Sequence, residues 1–139
     1  MIEAYTNLTT GLSVLTDARI NFENVEFRRC NCMNNIRSSQ TFNLSTPGVY
    51  LVIFNASASA ATTAGNIQVE ITANDNALPA SLSQASSTAT TDIVNITSTA
   101  LVRVGMSCNV CDNAVSVSVI NSGIDALYYN ASIIIKKIY

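Results

Sequence analysis

Apolar side chains recur at every second position along most of this 139-residue chain. The segment "NIQVEITAN" alternates in this way from Ile67 to Ile71, and "AVSVSVINSG" from Val115 to Val119. No segment carries apolar residues at helical spacing for three turns. Alternation with period two is typical of strands that bury one face. The sequence therefore predicts an all-β protein, a two-sheet antiparallel sandwich formed by a single domain over residues 1–139.

Two segments refine this prediction. In "ARINFENVEF" the apolar phase shifts after Ile20 and Phe22, which indicates a β-bulge. The segment "TTDIVNITSTALVRVGM" is long enough for two further short strands. Residues 1–18 are expected to form an N-terminal docking segment or an edge strand.

Two strands are apolar on both faces. In "GVYLVIFN", Tyr50 and Phe54 point one way while Leu51 and Ile53 point the other. In "ALYYNASIIIKKIY" the same alternation predicts two apolar groups on opposite faces of the strand. One face carries Leu127, Tyr129, Ile133 and Ile135, and the other carries Tyr128, Ile134 and Ile138. Strands of this kind are buried on both faces. One face fills the sandwich, so the other needs a cover, either a partner subunit or a loop or N-terminal segment of the same chain.

The composition excludes several functions. Charged residues make up 12% of the chain and the net charge is −2, whereas soluble domains average about 25% charged residues. No basic cluster is present, so no nucleic-acid partner is expected. No apolar stretch reaches the roughly 18 residues of a membrane span, so no membrane partner is expected either. The start "MIEAYTNLTT" does not resemble a signal peptide, and synthesis in a bacterial cytoplasm is expected.

Catalysis is not expected. The chain has no His, the usual general base. Its acidic residues are scattered, and its serines lie in tracts rich in Ala, Ser and Thr rather than in a nucleophile elbow. We therefore interpret the chain as a non-enzymatic protein.

The four cysteines are the most distinctive chemical feature of the sequence. Cys30 and Cys32 form C-x-C, and Cys108 and Cys111 form C-x-x-C. Two close thiolate pairs match a tetrahedral zinc set by type, although C-x-C is a less common zinc spacing. Two alternatives stay open beside zinc: a disulfide within a pair, and free thiols that act as small apolar residues. Free thiols are the favoured interpretation, so no metal or cofactor is expected.

Five N-x-[ST] triplets begin at asparagines spread along the chain. We interpret all five as strand residues that favour a polar face; they start at Asn7, Asn43, Asn55, Asn95 and Asn130.

Three segments together resemble a known family. They are "F-x-L-x-x-P-G-V-Y-L-V" at Phe42 to Val52, the earlier "LSVLTDARINFENVEF", and the ending "NASIIIKKIY". The order resembles the jelly-roll heads shared by tumour necrosis factor, the complement globular-head family and bacterial collagen-like exosporium glycoproteins. The likeness covers nearly the whole chain. It implies that Gly48 and Tyr50 open a central strand, that the last strand lies beside it, and that the protein is a homotrimer.

The chain departs from the complement heads at two points. It lacks the short spacer between Pro47 and Gly48, and it lacks a preceding collagen repeat. This short form is more similar to bacterial and bacteriophage members, taken as head-fibre or capsid-decoration components. The jelly-roll assignment also implies that the two cysteine pairs lie at opposite ends of a subunit, which would exclude one site shared by both pairs within a subunit. A threefold axis could instead bring together three copies of one pair.

The resemblance and the double-faced strands together predict a structural protein of a bacteriophage virion. The expected role is a trimeric capsid-decoration or head-fibre protein on the capsid surface. Its partners would be its own copies and the major capsid protein or another virion protein. The alternative is a trimeric module that binds a receptor or a host cell-surface glycan, on a phage or on a spore surface. The expected trimer interface consists of Tyr50, Leu51, Ile53, Phe54, Tyr128, Ile134 and Ile138.

Overall fold

The computed structural model describes residues 1–27, 39–106 and 114–139. These residues form eleven strands and one short 3-10 turn, Pro79–Ser81. The strands are β1 (Ile2–Val14), β2 (Ala18–Arg19), β3 (Asn24–Phe27), β4 (Phe42–Leu44), β5 (Gly48–Ala60), β6 (Gly65–Ala73), β7 (Asn76–Ala77), β8 (Ser83–Ser87), β9 (Val94–Val104), β10 (Val115–Asn121) and β11 (Ala126–Lys137). Among the described residues, no helix is long and apolar enough to cross a membrane.

The strands build two antiparallel sheets. The five-stranded sheet has the order β3-β1-β11-β5-β9. The six-stranded sheet has the order β2-β10-β6-β7, with β4 pairing with β10 and β8 pairing with β6. The side chains between the sheets form one hydrophobic core. The prediction of an all-β, two-sheet antiparallel sandwich is confirmed.

Strands β5 and β11 occupy the middle of the five-stranded sheet. They pair from Ala60 and Ala126 at one end to Tyr50 and Lys137 at the other. The last strand therefore lies beside the strand that Gly48 opens, as the family resemblance implied. Most of residues 1–18 form β1, which belongs to the same sheet and lies between β3 and β11.

The phase shift after Phe22 has a different cause from the predicted bulge. Strand β2 pairs with β10 in the six-stranded sheet, whereas β3 pairs with β1 in the five-stranded sheet. Ile20 and Phe22, which connect β2 to β3 in the sequence, are both fully buried. The apolar phase changes because the chain crosses from one sheet to the other, and not because of an extra residue in one strand.

The prediction of two short strands after Asp92 is wrong. A single strand of 11 residues, β9, runs from Val94 to Val104 and pairs with β5 throughout. Its core face includes the small polar residue Ser98, which is 3% exposed and donates a hydrogen bond to the Ser81 carbonyl. This satisfied hydroxyl lets a polar residue sit on the buried face of a continuous strand.

A bulge in β11 corrects the predicted grouping of its two faces. The register against β5 shifts between Tyr128 and Asn130, so the backbone of Tyr129 has no residue opposite it in β5. Because side chains alternate, one extra residue exchanges the faces of everything that follows. Tyr128 therefore faces the core together with Ile133 and Ile135, all at most 1% exposed.

A buried amide ties together one end of the sandwich. Asn121 is fully buried at the end of β10. Its Nδ2 donates hydrogen bonds to the carbonyls of Val14 at 3.1 Å, Leu15 at 3.3 Å and Ile124 at 2.8 Å. Its Oδ1 accepts a hydrogen bond from the Tyr128 hydroxyl at 3.1 Å. One side chain thus joins the end of β1, the β10–β11 turn and the core face of β11.

We predict that Asn121→Ala lowers the free energy of unfolding by about 3 kcal/mol, because the fully buried amide loses its hydrogen bonds to three carbonyls and the buried Tyr128 hydroxyl loses its acceptor. The measurement is urea denaturation of the purified variant. The matched control is Asn43→Ala, because Asn43 is an exposed asparagine on β4 and should change stability by less than about 0.5 kcal/mol. Equal stability of the two variants would contradict this account.

A second prediction concerns alkaline pH. Burial raises the pKa of Tyr128 well above its ordinary value. An unfolded tyrosine ionises near pH 10, whereas the folded one stays neutral, so the unfolded state releases its proton first. The contribution to stability is therefore complete below about pH 10 and falls above it by up to about 1.4 kcal/mol per pH unit.

The measurement is the urea stability of the wild type and of Tyr128→Phe at a series of pH values from neutral to beyond pH 10. The variant should be less stable at neutral pH, because the buried Asn121 Oδ1 loses its donor. The difference between the two proteins should shrink as the pH rises above about 10. A difference that stays constant over this range would refute the assignment.

Candidate functional site on the outer face of the five-stranded sheet

The outer face of the five-stranded sheet carries a group of apolar side chains at one end. Cross-strand pairing places Leu51 opposite Leu101 and Ile53 opposite both Thr99 and Ile134. Leu101 is 62% exposed and Ile138 is 51% exposed. We call this group the apolar patch; it consists of Val49, Leu51, Ile53, Leu101, Ile134 and Ile138. Scattered exposed apolar residues are ordinary, whereas a contiguous apolar group makes this face the candidate contact surface.

Three of the residues predicted for the trimer interface lie elsewhere. Tyr50 is 8% exposed, and Phe54 and Tyr128 are fully buried in the core. The Tyr50 hydroxyl donates to the Thr46 carbonyl at 2.8 Å, and the Phe54 ring packs edge-on against Phe22 with 6.3 Å between ring centroids. These three side chains fill the sandwich of their own chain, and they are not available as surface contacts. The remaining four, Leu51, Ile53, Ile134 and Ile138, all belong to the apolar patch.

The Pro-Gly sequence before β5 positions one side of the patch. Gly48 has a φ of 148°, and a Cβ atom at this position would collide with the Tyr139 carbonyl. The Val49 amide donates to that same carbonyl at 2.9 Å, and the Ile138 amide donates to the Val49 carbonyl at 2.8 Å. Only glycine leaves space for the chain to approach so closely. As a result, Ile138 lies beside Val49 and extends the apolar patch.

Charged residues border the patch. Register places Arg103 opposite Val49, Lys136 opposite Leu51 and Glu3 opposite Ile134. Arg103 and Lys136 are exposed. An apolar centre with a polar border is the arrangement that specific protein interfaces share, and the patch has it.

A polar groove adjoins the patch on the same outer face. Its volume is about 470 Å³. Two rows of side chains cross four strands side by side: Tyr5, Ser132, Asn55 and Thr97 in one row, and Asn7, Asn130, Ser57 and Asn95 in the other. We call these eight residues the polar groove. Their side chains carry no ionisable charge at neutral pH, so the groove is polar and electrically neutral.

Four of the five N-x-[ST] triplets supply this groove, those that start at Asn7, Asn55, Asn95 and Asn130. In three of them the asparagine and the Ser or Thr both line the groove, while the residue between them faces the core: Ala56, Ile96 and Ala131. The triplets therefore predicted a polar strand face. The sequence did not reveal that adjacent strands would align them into rows. The fifth asparagine, Asn43, is exposed on β4 in the other sheet.

Hydrogen bonds within the groove fix two of its amides. The Ser57 hydroxyl donates to Asn95 Oδ1 at 2.8 Å, and the Thr97 hydroxyl donates to Asn55 Oδ1 at 2.9 Å. With their carbonyl oxygens held in this way, Asn55 and Asn95 keep their Nδ2 donors free among the described residues. The side chains of Asn7, Asn130, Ser132 and Tyr5 likewise make no hydrogen bond within the described chain.

No group of three or more His, Cys, Asp or Glu side chains is clustered within residues 1–27, 39–106 and 114–139. Cys30, Cys32, Cys108 and Cys111 lie outside the described residues, so their zinc, disulfide and free-thiol interpretations stay predictions. One carboxylate, Asp75 in the β6–β7 turn, forms an ion pair with Arg19.

No protein family and no curated protein matches this sequence. Among solved structures, the PRD1 vertex protein P5 has a similar fold, with a TM-score of 0.52 at 16% sequence identity. The superposition covers 99% of this chain and 96% of that chain. At this identity the likeness shows a common fold. Because it extends over both chains almost completely, it concerns the whole sandwich rather than a shared motif.

Proposed function

We propose that this chain is a structural protein of a bacteriophage virion, a homotrimer with a TNF-like jelly-roll fold that decorates the capsid or forms a head fibre. The observation that carries the proposal is the apolar patch at the end of β5, β9 and β11. Leu101 and Ile138 expose more than half of their surface there, next to Leu51, Ile53 and Ile134. Two further copies of the chain are the proposed cover.

Burial of the patch would drive this association. Removing apolar surface from water contributes roughly 25 cal/mol per Å². Obligate interfaces bury roughly 2,000–5,000 Å² in total, so residues outside the patch would also be buried between the copies. The charged border of Arg103, Lys136 and Glu3 would set the relative orientation of the copies, because opposite charges meet favourably only in particular registers.

The fold supports the jelly-roll part of the proposal. The chain crosses repeatedly between the two sheets, since β5, β9 and β11 belong to one and β6, β8 and β10 to the other. The first and last long strands, β1 and β11, are neighbours. Jelly rolls are double-sheet antiparallel folds, and this alternation between sheets supports the assignment.

The fold likeness to the PRD1 vertex protein P5 supports a place in a virion, because that protein is a vertex protein of a phage particle. On the particle, the proposed partner is the major capsid protein or another virion protein. No catalytic role is proposed. The alternative function, a trimeric receptor-binding or glycan-binding module of a phage or a spore surface, receives support from the polar groove rather than from the loops.

The trimer is tested by the solution mass, measured by light scattering. The wild type should have three times the 14.8 kDa mass of the chain. Leu101→Asp and Ile138→Asp each place a charge in the patch and should shift the mass to that of one chain, because a buried unpaired carboxylate is costly. The matched control is Leu15→Asp, since Leu15 is 61% exposed in the β1–β2 connection, and this variant should keep the trimeric mass.

A single-chain mass for the wild type would overturn the trimer. So would a trimeric mass that survives in both patch variants. All three substitutions replace exposed side chains, so the far-ultraviolet circular dichroism of the variants should match that of the wild type.

The virion location is tested separately by mass spectrometry of phage particles purified from a lysate of cells that encode the chain. Peptides of this protein should copurify with the major capsid protein through a density gradient at a constant ratio. Their confinement to the soluble fraction of the lysate would contradict a structural role in the particle, whatever the number of subunits.

A further inference from the structure

We infer that the polar groove is a binding site for an uncharged oligosaccharide. The inference specifies the ligand of the alternative, glycan-binding function proposed above, and it requires that the middle of the outer sheet face stay uncovered between subunits. It starts from the eight aligned residues of the groove, whose hydrogen-bonding groups point away from the core along two neighbouring rows.

The size and shape of the groove fit a short, extended ligand. Its volume of about 470 Å³ lies within the range of roughly 300–1,000 Å³ that is typical of small-molecule sites. Each row crosses four strands, and neighbouring strands lie about 4.8 Å apart, which gives a length of about 14 Å. The groove is therefore long, open at the surface and shallow, which suits a chain of sugar rings better than a compact cofactor.

The groups presented in the groove match sugar hydroxyls. A sugar hydroxyl both donates and accepts hydrogen bonds, so it pairs well with side chains that offer both functions close together. An asparagine amide offers two donors and one carbonyl oxygen, and a hydroxyl group both donates and accepts. The Nδ2 groups of Asn55 and Asn95 are oriented by the hydrogen bonds at their Oδ1 atoms. They are consequently pre-positioned donors, which lowers the entropic cost of binding.

The rim adds an aromatic surface. Tyr5 is 39% exposed at one end of its row, opposite Ser132. A tyrosine ring presents an apolar face with a polar tip, and the carbon-bound hydrogens of a sugar ring can pack on such a face. The same side chain thus contacts both the apolar side and a hydroxyl of a sugar.

The neutral lining selects among ligand classes. None of the eight groove residues is acidic or basic, so an anionic ligand would find no counter-charge there and would lose hydration without compensation. Among the described residues, register places Glu3 in the row next to the groove, opposite both Ile134 and Glu26, and Lys136 one outer row further away, opposite Leu51. The favoured ligand is therefore neutral and rich in hydroxyl groups.

The test begins with the fluorescently labelled wild-type protein on a printed array that carries neutral and acidic glycans. Retention should be confined to neutral glycans. The strongest neutral oligosaccharide is then titrated into ¹⁵N-labelled protein, and chemical-shift changes should centre on the side-chain amides of Asn55, Asn95 and Asn130.

The decisive comparison is between two sets of variants. The double substitution Asn55→Ala with Asn95→Ala should weaken binding of that oligosaccharide about tenfold, since each lost hydrogen bond contributes a few-fold. The control Asn43→Ala removes an exposed strand asparagine from the other sheet and should leave the affinity unchanged. Tyr5→Ala should weaken binding, while Tyr5→Phe should retain most of it through the ring.

Binding should also persist in Leu101→Asp, because Leu101 belongs to the apolar patch and not to the groove. The inference is overturned if no neutral glycan on the array is retained, including the case in which neighbouring copies cover the groove. It is equally overturned if the double variant binds the titrated oligosaccharide as tightly as the wild type does.

Discussion

The pairing of β5 with β11 in the middle of the five-stranded sheet is the constraint from which the surfaces of the protein follow. These two strands are paired along nearly their full length, and side chains alternate strictly between the two faces of a sheet. Register therefore decides which residues are core and which are surface. In this register, Phe54 and Ile133 fill the sandwich while Ile53 and Ile134 lie outside. A slip of one residue would exchange both sets, and with them the patch and the groove.

The apolar patch and the polar groove share one outer face because the residue types change partway along each strand. Beyond Ile53, strand β5 changes from large aliphatic residues to Asn55 and Ser57, and β11 changes in the same rows from Ile134 to Ser132 and Asn130. The shorter polar side chains line the groove, and the aliphatic ones form the patch. The two surfaces thus meet along a single boundary that crosses the sheet.

The sequence was sufficient for the class of fold and for several surfaces, but not for their exact faces. Alternation in β5 correctly separated Leu51 and Ile53 from Tyr50 and Phe54, since nothing interrupts that strand. In β11 a bulge at Tyr129 reverses the alternation. The residues of "LYYNASIII" do not by themselves show where the extra residue lies. When a strand is apolar on both faces, its sequence does not reveal which face points into the core. For that reason the sequence also predicts Tyr50, Phe54 and Tyr128 at a subunit contact, whereas the structure buries them in the core.

Non-local information explains the remaining differences. The phase shift between Phe22 and Val25 resembles a bulge in isolation, and only the pairing partners, β10 on one side and β1 on the other, identify it as a crossing between sheets. Ser98 interrupts an apolar series in β9, and its burial depends on a carbonyl 17 positions earlier in the chain. The groove required four strands to align their N-x-[ST] triplets, which is a property of register rather than of any one segment.

The pairing of the first long strand with the last has a consequence for biosynthesis. Ile2 of β1 lies opposite Ile135 of β11, and β11 also separates β1 from β5. The five-stranded sheet therefore cannot close until β11 has left the ribosome. During translation, one of the two edges of β5 would stay unpaired, and both of its apolar faces would be partly exposed to water. Such edges are prone to join neighbouring nascent chains. For a protein of this topology, translation speed and local chain density on a polysome bear directly on the yield of folded product.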